Sequence, residues 1–203
     1  MKIIGLCGGS GSGKGMVSSL FVKVGIPVID ADAVYHELTT RRSDCLEALC
    51  KEFGDGILSG GALNRKALAD IVFSSSDAPK KRKRLNEISH SFILSEIERR
   101  LRSLEKEGIK LAVVDAPLLF ESGFDKKCDI TVAVISDEDT RVSRIMSRDN
   151  LTKEEAKRRI KAQISNSELI NRTDFQIYND GTFEDLADSV QNFINKINKK
   201  FDK

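Results

Sequence analysis

Residues 8–14 read Gly-Gly-Ser-Gly-Ser-Gly-Lys, the first seven positions of the pattern G-x-x-x-x-G-K-[ST]. Chemistry of one kind suits such a run, the holding of phosphate. Glycines let the main chain curl with its N–H groups turned inward, and a helix N-terminus behind them adds positive potential. Lys14 can then reach β- and γ-phosphates as a point charge. Gly11, Ser12, Gly13, Lys14, Gly15 and Met16 are therefore candidate nucleotide contacts. The plain alternative is a glycine turn with an incidental lysine. The eighth position departs from the pattern, because Gly15 stands where Ser or Thr normally ligates Mg²⁺. The metal then loses a protein oxygen or replaces it with water, which magnesium tolerates. Gly15 also weakens the helix start, by up to about 1 kcal/mol relative to alanine.

Three aspartates follow short apolar runs. Asp30 and Asp32 lie after Val28-Ile29, and Asp115 lies after residues 111–114, Leu-Ala-Val-Val. In an open parallel sheet, ligands bind beyond the carboxyl ends of the strands. Asp115 suits the acid that holds Mg²⁺ directly or through water. Asp32 suits a base that accepts a proton from an attacking hydroxyl. Helix capping is the competing role for Asp30 and Asp32, and one residue can cap while the other works. Arg141, Arg144 and Arg148 are spaced three and four apart, so they share a helix face where guanidinium forks could meet phosphate oxygens. A solvated basic face paired with Asp137 and Glu138 is the alternative.

The elements that must position these residues follow from periodicity and punctuation. Residues 2–7, 27–30, 110–115, 129–134 and 175–178 read as five short strands. Helical spacing fills the intervals, including a closing amphipathic helix over 183–197. Strands alternating with helices predict a parallel sheet flanked by helices. Between 43 and 108 helical spacing dominates, with no convincing strand, which predicts an inserted, mainly helical lobe. Residues 137–167 read as two polar helices, and Thr152 with Glu155 forms a capping box that opens the second.

Composition narrows the function classes. The 33 Lys and Arg nearly cancel 31 Asp and Glu, which disfavours wholesale binding of nucleic acid or a membrane surface. The basic run at 80–84, Lys-Lys-Arg-Lys-Arg, reads as the exposed first turns of a long helix whose apolar face begins at Leu85. No apolar stretch reaches the roughly 18 residues that span a bilayer. The N-terminal residues run straight into the glycine loop instead of a signal-peptide cleavage site. Cys7, Cys45, Cys50 and Cys128 form no CxxC pair and read as buried, reduced thiols. A cytoplasmic protein is the expectation.

Beyond the loop, the chain resembles the dephospho-CoA kinases. The resemblance runs through Val28-Ile29-Asp30-Ala31-Asp32, Leu63-Asn64-Arg65-Lys66-Ala67-Leu68, Leu85-Asn86 with His90, and Asp115-Ala116-Pro117-Leu118-Leu119-Phe120-Glu121. It continues in Arg144, Arg148 and Asp149, in Ala162-Gln163, and in Asp174 with Asn179-Asp180-Gly181. It implies an α/β P-loop kinase whose core covers about 1–39, 109–136 and 168–203, with a helical substrate lobe at about 40–108 and a helical lid at about 137–167. It implies transfer of the ATP γ-phosphoryl, with Mg²⁺, to the ribose 3′-hydroxyl of dephospho-CoA. By matching position, Asp32, Lys14 and Arg148 are catalytic, and Arg144 and Asn179 meet the nucleotide. Asp30, Arg65 and His90 meet the substrate, and Asp115 serves the metal. Besides Gly15 there are two departures: Ser91 stands where the family usually has proline, and Arg141 where it commonly has glutamine. The other classes compatible with the loop are a nucleoside monophosphate or shikimate type of kinase, and a non-catalytic nucleotide switch.

Overall fold

The apolar run after Lys2 has to be sheltered from water, and β1 (Lys2–Gly8) does so as the middle strand of a sheet, with Ile4 and Leu6 fully buried. The computed structural model describes residues 1–73 and 77–201. The chain divides into two compact units, Met1–Ile29 with Ile109–Lys203, and Asp30–Gly108. From β1 the chain passes through the glycine loop into α1 (Lys14–Lys23), which buries Val17, Leu20 and Phe21, and then into β2 (Val28–Asp30).

The second unit begins where the Asp30 carboxylate accepts hydrogen bonds from the N–H groups of Asp32 (2.8 Å) and Ala33 (3.1 Å), capping α2 (Ala31–Thr40). Ser43 caps α3 (Asp44–Phe53) in the same way, through the Leu46 N–H at 3.1 Å. Next come the short antiparallel strands β3 (Leu58–Ser59) and β4 (Ala62–Leu63), then α4 (Arg65–Phe73) and α5 (Ala78–Lys106). The hairpin corrects the expectation that no strand interrupts this mainly helical lobe. Two residues per strand are too few to display an alternating pattern. This unit has its own core of Cys45, Leu49, Ile57, Leu68, Val72 and Ile88. Pro79 sits in the first turn of α5, where its missing N–H costs no hydrogen bond, and Lys80, Arg82, Lys83 and Arg84 are exposed there.

Returning to the first unit, the chain forms β5 (Leu111–Asp115), β6 (Ile130–Ile135), α6 (Glu138–Asp149) and α7 (Lys153–Lys161). It ends in α8 (Asn166–Arg172), β7 (Phe175–Tyr178) and α9 (Phe183–Phe201). The strand order is β2-β5-β1-β6-β7, a five-stranded parallel sheet flanked by helices, as the pattern predicted. Asp137 caps α6, and Asn150 ends it in the left-handed conformation (φ 52°) that asparagine tolerates better than most residues. The Thr152–Glu155 capping box opens α7 as expected. Helix α8 was not anticipated, although Ser165 with Glu168 carries a start signal, and the Ser165 hydroxyl accepts from the Glu168 N–H. Phe193 of α9 meets Phe21 and Phe175 edge-on, at centroid distances of 6.0 and 5.3 Å, and so ties the last helix to the sheet.

Among the described residues no helix is long and apolar enough to cross a membrane. All four cysteines are free; Cys7 and Cys45 are buried, whereas Cys50 and Cys128 are only partly so. Burial pushes the Cys7 and Cys128 thiols up to about 12 and Cys45 up to about 11. These are unreactive thiols at neutral pH.

Candidate active site

Parallel pairing brings the carboxyl ends of the strands together. Leu6 of β1 pairs with Asp115 of β5, and Gly8 pairs with Val134 of β6. The glycine loop, Asp115 and the segments after β6 and β7 therefore share one end of the sheet. There Asp115 is almost fully buried, at 3% exposure. Such a carboxylate needs partners, and it has two on different oxygens. Lys14 Nζ donates to Oδ1, and Ser18 Oγ donates to Oδ2 at 2.7 Å. Lysine and aspartate, 101 residues apart in the chain, thus meet at the strand end, a pairing that neither residue's sequence context predicts.

The loop itself is fastened from outside by its carbonyls. Arg141 Nε donates to the Ser10 carbonyl at 2.9 Å, Arg144 Nη1 to Gly11 at 3.3 Å, and Asn179 Nδ2 to Ser12 at 2.7 Å. In a trans peptide, C=O and N–H point opposite ways. Drawing these carbonyls outward therefore turns the Gly11 and Gly13 N–H groups to the other side of the loop. Gln163 completes the frame, accepting from the Ser10 N–H at 2.9 Å and donating to the Ser10 hydroxyl at 3.1 Å. Several loop positions require glycine by contact or conformation, Gly9 and Gly13 among them. A Cβ at Gly9 would run into the Arg141 guanidinium; one at Gly13, where φ is +90°, would run into the Asn179 amide.

The arginines divide differently from the expectation. Arg141 is not on a solvated face: it is 3% exposed, and besides the loop it donates to Asn166 Oδ1 at 3.1 Å. Burial draws its guanidinium below the ordinary value, yet an arginine there stays charged. Arg144 reaches both Gly11 and the Asn179 carbonyl, the latter at 3.1 Å. Arg148 is engaged elsewhere. Its Nε and Nη2 form a fork on Asp149, both at 2.8 Å, and Arg159 adds a third contact to the same carboxylate. Met16 and Gly15 are exposed at the start of α1.

In the second unit, Asp30 is the N-cap described above and Asp32 lies exposed in the first turn of α2. Arg65 is exposed, with Nη2 2.9 Å from His36 Nδ1. Because arginine only donates, that ring nitrogen must accept. His90 is half-buried on α5. His36, Ser18, Gln163 as a loop contact, and the buried role of Arg141 are the residues that sequence reading did not assign. Only Gln163 had a signal, through its place in the family pattern.

The oxygens present suit Mg²⁺. Asp115 offers a buried carboxylate, Ser18 a hydroxyl beside it, and Ser12 Oγ is buried without a hydrogen-bond partner in the loop. Among the described residues no group of three or more His, Cys, Asp or Glu forms a cage. One or two protein oxygens, completed by phosphates and water, is how Mg²⁺ usually sits at a phosphate-binding site.

Comparison with known proteins agrees with this geometry. The family model described as dephospho-CoA kinase matches residues 2–185. A dephospho-CoA kinase of Symbiobacterium thermophilum is 40% identical over 192 residues, covering 94% of this chain and 79% of its own. That of Fusobacterium nucleatum is 39% identical, covering 97% of this chain and 99% of its own. Among solved structures, the dephospho-CoA kinase of Campylobacter jejuni superposes with a TM-score of 0.72 at 27% identity, covering 98% of this chain and 99% of its own. Shikimate kinase of Acinetobacter baumannii, at 14% identity and a TM-score of 0.54, shares the fold alone. A glycine loop, its lysine and a buried strand-end acid, set within a match that spans nearly the whole sequence, place this chain in the dephospho-CoA kinase family.

Proposed function

We propose that the family's reaction, ATP-dependent phosphorylation of dephospho-CoA, proceeds in this chain at the ribose 3′-hydroxyl, with the roles that follow. The observation that carries the reading is the buried contact of Lys14 with Asp115 beside the glycine loop. Gly11, Ser12, Gly13, Gly15 and Met16 take the triphosphate along the loop and the start of α1. Lys14 exchanges Asp115 for β- and γ-phosphate oxygens. Arg144 and Asn179 border the nucleotide, and Arg148 leaves Asp149 to meet the transferring group. Asp115 would hold Mg²⁺, directly or through water; when bound, the ion neutralises charge on the β- and γ-oxygens.

Asp32 is assigned as the base, since the Asp30 carboxylate already serves as a cap. The acceptor oxygen forms a bond to the γ-phosphorus, the bond from that phosphorus to the β,γ-bridging oxygen breaks, and the hydroxyl proton passes to Asp32. ADP and CoA leave. Arg65, His90 and the Asp30 turn are assigned to the substrate, the segment at about 40–108 to the substrate lobe and that at about 137–167 to the lid. Four free thiols suit a reducing compartment, and the reading places the chain in the cytoplasm.

The test is ADP release from ATP with dephospho-CoA, run beside AMP, CMP and shikimate. Stimulation by dephospho-CoA alone is expected. Turnover on another acceptor would replace the substrate assignment. ATP binding without turnover on any acceptor would favour a non-catalytic switch, the reading that Gly15 suggests.

A further inference from the structure

Ser18 lies three residues after Gly15, one helical turn along α1 and on the same side of the helix. Its neighbour Ser19 makes the bond that a mid-helix serine makes by default, donating to the carbonyl four residues back, Gly15, at 2.9 Å. Ser18 instead gives its hydrogen to Asp115 Oδ2 at 2.7 Å, a residue 97 positions away on β5. With Lys14 on Oδ1, that second donor fixes the plane of the carboxylate. Nothing steric requires glycine at position 15, where an added Cβ would meet no atom within 4 Å. The loop therefore lacks a hydroxyl at its usual place, although a hydroxyl would fit there. It has one a turn further on, bonded to the acid assigned to the metal.

We infer that Ser18 is a positioning residue that compensates for Gly15: by orienting Asp115, it restores the Mg²⁺ affinity that the missing loop hydroxyl would have supplied. This rests on the assignment of Asp115 to the metal. Residues that orient a metal's carboxylate typically carry a factor of 10–100 in metal affinity.

The test reads binding, not turnover. A fluorescent, non-hydrolysable ATP analogue is titrated into the full chain in EDTA and over a Mg²⁺ series, for wild type, Ser18→Ala, Ser18→Thr, Gly15→Ser, Asp115→Asn and the double variant Gly15→Ser/Ser18→Ala. Ser18→Ala is expected to weaken apparent Mg²⁺ affinity about tenfold, while affinity in EDTA changes by less than about twofold. Ser18→Thr keeps the wild-type midpoint. Gly15→Ser gains little alone but recovers most of the loss in the Ser18→Ala background, a non-additivity that a mere helix–strand tether does not produce. Should Ser18→Ala fail to fold, Ser18→Cys, of similar size and a weaker donor, carries the same comparison. Equal losses with and without Mg²⁺, or additive effects in the double variant, overturn the inference. If Asp115→Asn abolishes the Mg²⁺ dependence but Ser18→Ala leaves it intact, the inference fails and the metal assignment stands. If wild type and Asp115→Asn respond to Mg²⁺ alike, the assignment fails as well.

Discussion

The two units use charged side chains in opposite ways. Around the glycine loop, charges are buried or half-buried and engaged with the main chain or with one another: Arg141 on Ser10, Arg144 on Gly11, and Lys14 with Ser18 on Asp115. In the segment Asp30–Gly108, charges are largely exposed and pair across helix surfaces, as in Arg84 with Glu52, Arg100 with Glu37, and Arg99 with Glu96. Exposed pairs contribute little to stability, so that unit relies on its apolar cluster from Cys45 to Ile88. Buried charge is costly, and a site retains it where it positions other groups. The lesson is that location, more than the number of charges, separates working residues from solvated ones.

Substitutions can break or sharpen that contrast. The largest effect is expected at Lys14. Lys14→Ala should lower kcat for phosphoryl transfer by about 10³-fold, since positioning and charge stabilisation supply most of such catalysis. Turnover within a few-fold of wild type would remove the loop from the chemistry.

Arg148 tests the contrast from within, because it lies in the first unit but pairs on the surface as the second unit's residues do. Arg148→Ala should lower kcat about 10²-fold while the KM for ATP stays within about threefold, the pattern of a contact made only in the transition state. An unchanged kcat would make Arg148 an ordinary surface pair. Arg141→Ala should weaken ATP binding about tenfold and destabilise the fold by about 1–3 kcal/mol, because it leaves the Ser10 carbonyl and Asn166 short of a donor. Calorimetry and thermal melting read the two effects separately, and loss of neither would show the loop to be self-supporting.

The smallest effect is expected at Glu96, whose carboxyl the Arg99 hydrogen bond, aided by Arg100, lowers from 4.5 to about 2. A depressed carboxyl contributes stability above its unfolded value, and that contribution fades as pH falls from about 4.5 toward 2. After solvent screening it amounts to about 1 kcal/mol. Glu96→Gln should therefore lower the urea midpoint at pH 7, with the difference closing as the pH falls through that window. A gap that widens in acid would contradict the assignment.

Much of this was legible in the residues alone. Five short, mainly apolar runs that stop at Gly, Asp, Ser or Asn announced the sheet, and strand–loop–helix punctuation announced the site. Other features were not legible. The β3–β4 hairpin is shorter than the period needed to detect it. The arginines at 141, 144 and 148 look alike by spacing, and only packing turns the first inward and leaves the last on Asp149. Ser18 meets Asp115 across 97 positions, a contact that strand pairing creates and local pattern cannot encode.

The outward fastening of the Ser10, Gly11 and Ser12 carbonyls has a thermodynamic signature. Ordering of the loop is completed when the chain folds, so a nucleotide meets donors already in place and loses little entropy in arranging them. Loosening any one tether should therefore make nucleotide association entropically less favourable, even where the number of contacts in the complex is unchanged.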